Sequence, residues 1–151
     1  MTFLEDLVDE EHPLAQDLGF LLSRASGVFA KTASQALAPL GLRVRSYCVL
    51  AFAGEVKTGV TQRRLAELMG LDPSQVVALV DELESSGLVK RDTDPNDRRS
   101  KLVSATAKGN RVRKDGGRRI AEAQSGIMAN VAPDTQVELN ALLRQLVFPE
   151  G

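Results

Sequence analysis

Tryptophan is absent, tyrosine, histidine and cysteine occur once each, and aromatic residues make up 4% of the 151 positions. So few rings leave no stacking platform for splayed single-stranded bases. One histidine, His12, and one cysteine, Cys48, are too few for a zinc site and leave little for acid–base chemistry. Neither a Gly-rich phosphate loop nor a nucleophile elbow is present, so the sequence predicts no enzyme, no metal and no cofactor. Cys48 is alone and cannot form an internal disulfide, which fits a reducing compartment. The longest apolar runs, such as Tyr47 to Ala53, fall far short of the ~20 residues a membrane helix needs. The N-terminus, Met1 to Asp6, is acidic where a signal peptide is basic. A cytoplasmic chain without a membrane partner is the expectation.

What is present, 43% apolar and 26% charged residues, is the composition of a foldable single domain spanning 1–151. The formal charge of -1 is unpromising for a nucleic-acid binder until it is located along the chain. Residues 1–60 carry five Lys/Arg against seven Asp/Glu, residues 61–115 eleven against nine, and residues 116–151 three against four. Within the basic middle, Arg98 to Arg119 holds nine cations (Arg98, Arg99, Lys101, Lys108, Arg111, Arg113, Lys114, Arg118 and Arg119) against one acid, Asp115. Such a run is either a solvated helix face or a footprint for phosphates.

Leu14, Leu18, Leu21, Leu22, Ala25, Phe29 and Ala33 recur at helical spacing and predict an amphipathic helix ending near Pro39-Leu40-Gly41. A second helix is predicted over about Arg45 to Phe52, followed by a turn between Gly54 and Gly59. Ile120 to Val131 and Val137 to Phe148 read as two more helices, broken at Ala132-Pro133-Asp134 with Asp134 as cap. These flanking helices have little core of their own, so pairing with a second copy would bury their stripes, and a homodimer is expected.

Between them, Gln62 to Met69 and the segment opened by Asp72-Pro73-Ser74-Gln75 form two short helices joined by a turn at Gly70-Leu71. Asp72 suits the N-cap, Pro73 the first helical position, and Gln75 the return arm of a capping box. Val76, Leu79, Val80 and Leu83 form the predicted buried stripe, leaving Ser74, Gln75, Val77, Ala78, Asp81 and Glu82 outward. This spacing predicts a helix-turn-helix whose second helix enters the major groove. Ser74 and Gln75 are the leading base readers, Gln by a two-bond grip on adenine, and Val77 or Ala78 can touch a thymine methyl. Thr61, Gln62, Arg63 and Pro73 complete the contacts expected of this unit.

Behind it, Leu88 to Arg91 and Lys101 to Ser104 read as strands around a turn-rich Asp92 to Asp97, a β-hairpin or wing. Its tip carries Asp97-Arg98-Arg99, with Lys101 following. Arginine there can enter the minor groove or clamp phosphate, and Asp97 is expected to fork one guanidinium.

Thr61-Gln62-Arg63-Arg64-Leu65-Ala66, the run Leu79 to Arg91, the wing Asp94-Pro95-Asn96-Asp97-Arg98-Arg99-Ser100-Lys101 and Thr106-Ala107-Lys108-Gly109 together resemble the MarR family of bacterial regulators, from His12 to Leu146. The resemblance implies a mainly α protein with a small β-wing: a winged helix-turn-helix over 43–110 and a helical dimerisation region over 1–40 and 117–151. It further implies a homodimeric regulator of duplex DNA, usually a repressor at a pseudo-palindromic operator, relieved by a small aromatic or phenolic effector. There are three departures from the family: Ala78 and Glu82, where many relatives have Arg or Lys; Ala105, where Leu is usual; and Gly116-Gly117, a predicted break or hinge in the linking helix.

Arg43, Arg45, Ser46 and Tyr47 lie where the family often opens its effector pocket, and an arginine there can pair with a carboxylate. Cys48 is the candidate for a redox-responsive alternative, and a winged helix used for protein interaction is the rival to DNA binding.

Overall fold

The computed structural model describes residues 12–150. The acidic Met1 to Asp6 lies outside the described residues. Besides 3-10 turns at Pro13–Ala15 and Ala38–Leu40, the elements are α1 (Leu18–Leu37), α2 (Val44–Glu55), β1 (Val60–Thr61), α3 (Gln62–Met69), α4 (Pro73–Ser85), β2 (Val89–Asp94), β3 (Asp97–Ala105), α5 (Ala107–Ile127) and α6 (Pro133–Val147). This is the predicted mainly helical chain with a small wing, enlarged by β1, a strand too short to leave a pattern in sequence.

Capping sets most of the boundaries. Asp17 Oδ1 accepts the Phe20 N–H at 2.7 Å and starts α1 there, later than the Leu14 at which the apolar stripe begins. Thr61 caps α3 through the Arg64 N–H, and Thr106 caps α5 through the Gly109 N–H. Each such cap satisfies an amide that has no partner within its helix. Asp134 is not a cap: Ala132 takes that place and Asp134 stands in the first turn of α6, where its charge opposes the helix dipole's positive end.

The sheet is antiparallel in the order β1-β3-β2, with Val89 opposite Ala105, Arg91 opposite Val103 and Val60 also opposite Val103. The core lies under this sheet and between α2, α3 and α4. Leu37, Val49, Leu50, Leu65, Val76, Val80, Leu83 and Val103 are wholly or almost wholly enclosed there. The predicted stripe of α4 is buried as expected, and Ala105, small as it is, still packs against this core. α1 and α6 differ. Of α1 only Ala33 and Leu37 are buried, and of α6 nothing is, although both carry many leucines and valines.

α5 runs unbroken from Ala107 through Gly116 and Gly117, so the expected break is absent. The glycines serve close approach instead. A Cβ at Gly116 would stand 3.1 Å from the Tyr47 ring and 3.2 Å from Leu37 Cδ2, and one at Gly109 would stand 1.9 Å from the Leu88 carbonyl oxygen. The energy that glycine costs a helix, about 1 kcal/mol relative to Ala, is offset by the packing of α2 and the wing base onto α5.

Candidate nucleic-acid interface

α3 and α4 meet through a turn whose residue Gly70 has φ +62, the left-handed region that glycine enters without strain, and Leu71 N–H bonds back to Ala66 O at 3.0 Å. This closes the helix-turn-helix tightly and leaves Pro73, Ser74, Gln75, Val77 and Ala78 exposed along one side of α4. Gln75 Oε1 accepts the Asp72 N–H at 3.1 Å, the return bond of the predicted capping box. One lone pair of its carbonyl is thereby used and its orientation set by the cap, while the amide NH2 is free to donate, so a two-bond grip on adenine has to share that carbonyl with the capping bond.

α3 contributes differently from expectation. Thr61 Oγ1 is engaged as the cap, and Gln62 Oε1 accepts from Arg91 Nε at 2.8 Å. Arg63 and Arg64 both lean on Glu67, at 3.6 and 3.1 Å, as exposed pairs that hold their guanidinium groups only weakly.

The wing turns at Pro95-Asn96, where Asp94 Oδ1 accepts the Asn96 N–H at 2.9 Å. Asp97 does not fork a guanidinium. Its Oδ1 accepts the Arg99 backbone N–H at 3.0 Å, an Asx turn that shapes the tip while both arginine side chains stay free. The side chains of Arg98 and Arg99 are exposed, with no hydrogen-bond or ion-pair partner among the described residues. Lys101 Nζ donates to Thr93 Oγ1 across the hairpin at 3.1 Å.

The structure divides the long basic run. Lys108 Nζ donates to Ser86 O at 2.9 Å, at the end of α4 farthest from Ser74 and Gln75, where a cation complements the helix dipole. Arg118 and Arg119 close on Asp115, whose carboxyl is held below its usual range by the Arg118 hydrogen bond first and by Arg119 next. Arg113 lies over Gly54 and Asn110. Arg98 and Arg99 at the wing tip, with Arg111 and Lys114 on α5, are the cations of this run left without a partner among the described residues.

The four effector candidates at the start of α2 diverge, because successive residues on a helix project about 100° apart. Arg43 pairs with Glu82 of α4 at 2.5 Å. Ser46 is buried, its hydroxyl unpartnered, beside a small cavity of about 140 Å³ that Glu82, Ser86 and Lys108 also line. Tyr47 lies over Gly116 and Gly117, and burial pushes its phenol up. Arg45 alone faces a larger opening, a cleft of about 370 Å³ shared with Cys48, Phe52, Leu68, Met69 and Leu71. Burial raises the Cys48 thiol above its ordinary value near 9, the opposite of what a reactive thiol needs.

The residue that sequence reasoning missed is Arg91, which joins β2 to both helices of the motif. Its signal was present but ambiguous, since a charged residue in a short strand is ordinarily solvated.

Residues 40–100 match the profile of the MarR family. The fold is shared with CouR of Rhodococcus jostii RHA1, solved with p-coumaroyl-CoA: 45% identity, TM-score 0.86, covering 93% of this chain and 99% of that one. A CouR repressor bound to a 23-mer DNA duplex aligns at 25% identity and TM-score 0.82, covering 92% and 97%. An HTH-type transcriptional repressor of Mycobacterium tuberculosis is 28% identical over 135 residues, 88% of this chain and 96% of its own length. No single helix among the described residues is long and apolar enough to cross a membrane. With its winged helix, its free wing-tip arginines and this similarity over nearly its whole length, the chain belongs to the MarR family of DNA-binding transcriptional regulators.

Proposed function

We propose that this regulator is a cytoplasmic repressor that binds a near-palindromic duplex as a homodimer and releases it when an aromatic acyl effector binds. The observation that carries the reading is one lobe with two unlike ends. The exposed side of α4 and the unpaired side chains of Arg98 and Arg99 belong to one winged helix-turn-helix, while α1 and α6 leave Leu18, Val137, Leu142, Leu146 and Phe148 open. On this reading 43–110 meets DNA, and 1–40 with 117–151 pairs two copies so that their α4 helices lie about one DNA turn, roughly 34 Å, apart.

Sequence would be read by Ser74, Gln75, Val77 and Ala78, and phosphates held by Arg98, Arg99, Lys101 and the start of α3 with Thr61 and Arg63. Two different CouR proteins support the two halves of this reading: one, at 45% identity to this chain, binds p-coumaroyl-CoA, and the other, at 25%, binds a 23-mer duplex. Here the cleft beside Arg45 has apolar walls from Phe52, Leu68, Met69 and Leu71, and Arg45 has no ion-pair partner among the described residues. An aromatic ring fits the walls, and a carboxylate or the phosphates of a coenzyme A thioester fit the guanidinium. The effector acts by binding the two spacings of the α4 helices unequally.

A mobility shift with the duplex upstream of the protein's own gene, with and without p-coumaroyl-CoA and free aromatic acids, tests this. The expected result is a salt-sensitive shift that an aromatic acyl compound abolishes in the wild type and only at higher concentration in Arg45→Ala. A shift that resists every such compound removes the effector, and no shift at any salt removes the operator.

A further inference from the structure

The helix that meets DNA carries the wrong charge for its partner. α4 holds Asp81, Glu82 and Glu84 and neither lysine nor arginine. Asp81 follows Ser74 by seven residues and Val77 by four, so its carboxylate lies on the same exposed stripe as the base readers. Left alone, it would face the phosphates, and like charge across an interface opposes association.

The cation that answers it comes from the wing. Arg91, on β2, is the most enclosed of the ion-paired arginines, its side chain 18% exposed. Nη2 reaches Asp81 Oδ1 at 2.6 Å and Val77 O at 3.2 Å, and Nη1 reaches Glu84 Oε1 at 3.2 Å. Nε donates to Gln62 Oε1 on α3, and the backbone N–H donates to Glu84 Oε2 at 3.2 Å. The planar fork can satisfy such divergent acceptors together, which an ammonium cannot. Arg43 answers Glu82 in the same sense, but that pair is far more exposed, and exposed pairs contribute little.

We infer that Arg91 is a positioning residue for DNA recognition: without touching DNA, it neutralises Asp81 and Glu84 and locks α3, α4 and the wing into one reading unit. The inference rests on α4 being the element that meets duplex DNA.

The test is a double-mutant cycle on affinity for a duplex selected from a random pool with the wild-type dimer. Arg91→Gln is expected to weaken binding roughly tenfold or more, the size of one good charge interaction. Asp81→Asn with Glu84→Gln is expected to restore most of the affinity lost in Arg91→Gln, because the charge that Arg91 answers is then gone. A direct phosphate contact, or a merely structural arginine, predicts additive effects and no restoration, and either result overturns the inference. Thermal melts separate lost folding from lost recognition. If Arg91→Gln does not fold, Asp81→Asn alone decides: a gain above about fivefold shows that its charge was never neutralised. Failure of the wild type to select any duplex overturns the DNA reading itself, whereas selection followed by additivity overturns only the role of Arg91.

Discussion

Among single residues, Cys48 and Gly109 show how a neighbourhood sets chemistry. Cys48 is half-buried and its thiol is raised by burial, so little thiolate forms at neutral pH. Labelling by a disulfide reagent is expected to be slow at pH 7 and to accelerate above pH 9, with DNA binding unaffected by diamide. Rapid labelling at pH 7 with loss of binding would restore the redox alternative. The sign for stability follows, since a fold that favours the protonated thiol keeps that contribution below its ordinary value near 9 and loses it as pH rises beyond. At Gly109 a methyl group would collide with the Leu88 carbonyl oxygen, which cannot swing aside because it accepts the Thr106 N–H at 3.0 Å. Gly109→Ala is expected to cost about 1–3 kcal/mol, as overpacking does, read as a lower urea midpoint at unchanged slope.

At the scale of elements, the proposed function divides recognition between α4 and the wing. Gln75 serves both as the arm of a capping box and as an exposed donor, so Gln75→Ala is expected to lower stability by roughly 1 kcal/mol and to relax base preference at one operator position. Uniform weakening over all sequences would leave it only the capping role. Arg99→Ala is expected to flatten the dependence of log affinity on log salt by about one unit, because each phosphate contact releases counterions. An unchanged slope removes Arg99 from the backbone contacts. α5 joins the two ends of the molecule without a break, and its glycines let Tyr47 seat against it. That contact packs α2, which carries Arg45, directly against α5.

For the whole molecule, α1 and α6 present an uncovered apolar face. Leu18 is 66% exposed and Val137 70%, on helices that bury two residues and none respectively. Each such side chain removed from water contributes about 1.5–3 kcal/mol, enough in sum to hold two copies together. Leu142→Glu, in the middle of α6, is expected to convert a dimer to a monomer by light scattering and to weaken operator binding strongly, since half-sites then bind singly. A dimer that persists unchanged would place the interface elsewhere.

Capping, turn and stripe signals made the helix-turn-helix and the wing legible from sequence, because those signals are local: Thr61, Gly70, Asp72, Gln75 and Thr106 act on amides within a few residues of themselves. The buried stripe of α4 was legible for the same reason, its period being a property of one helix. Partner choice was not. That Gly116 and Gly117 seat Tyr47 instead of breaking α5, and that Arg43 and Arg91 neutralise α4, depend on groups far apart in the chain meeting in space, 39 positions for Arg43 and Glu82 and more for Tyr47 and the two glycines. Sequence determined which elements form and where charge is available. Tertiary structure decided which charges remain free to meet a phosphate, because a cation's reach for DNA depends on whether a carboxylate has already taken it.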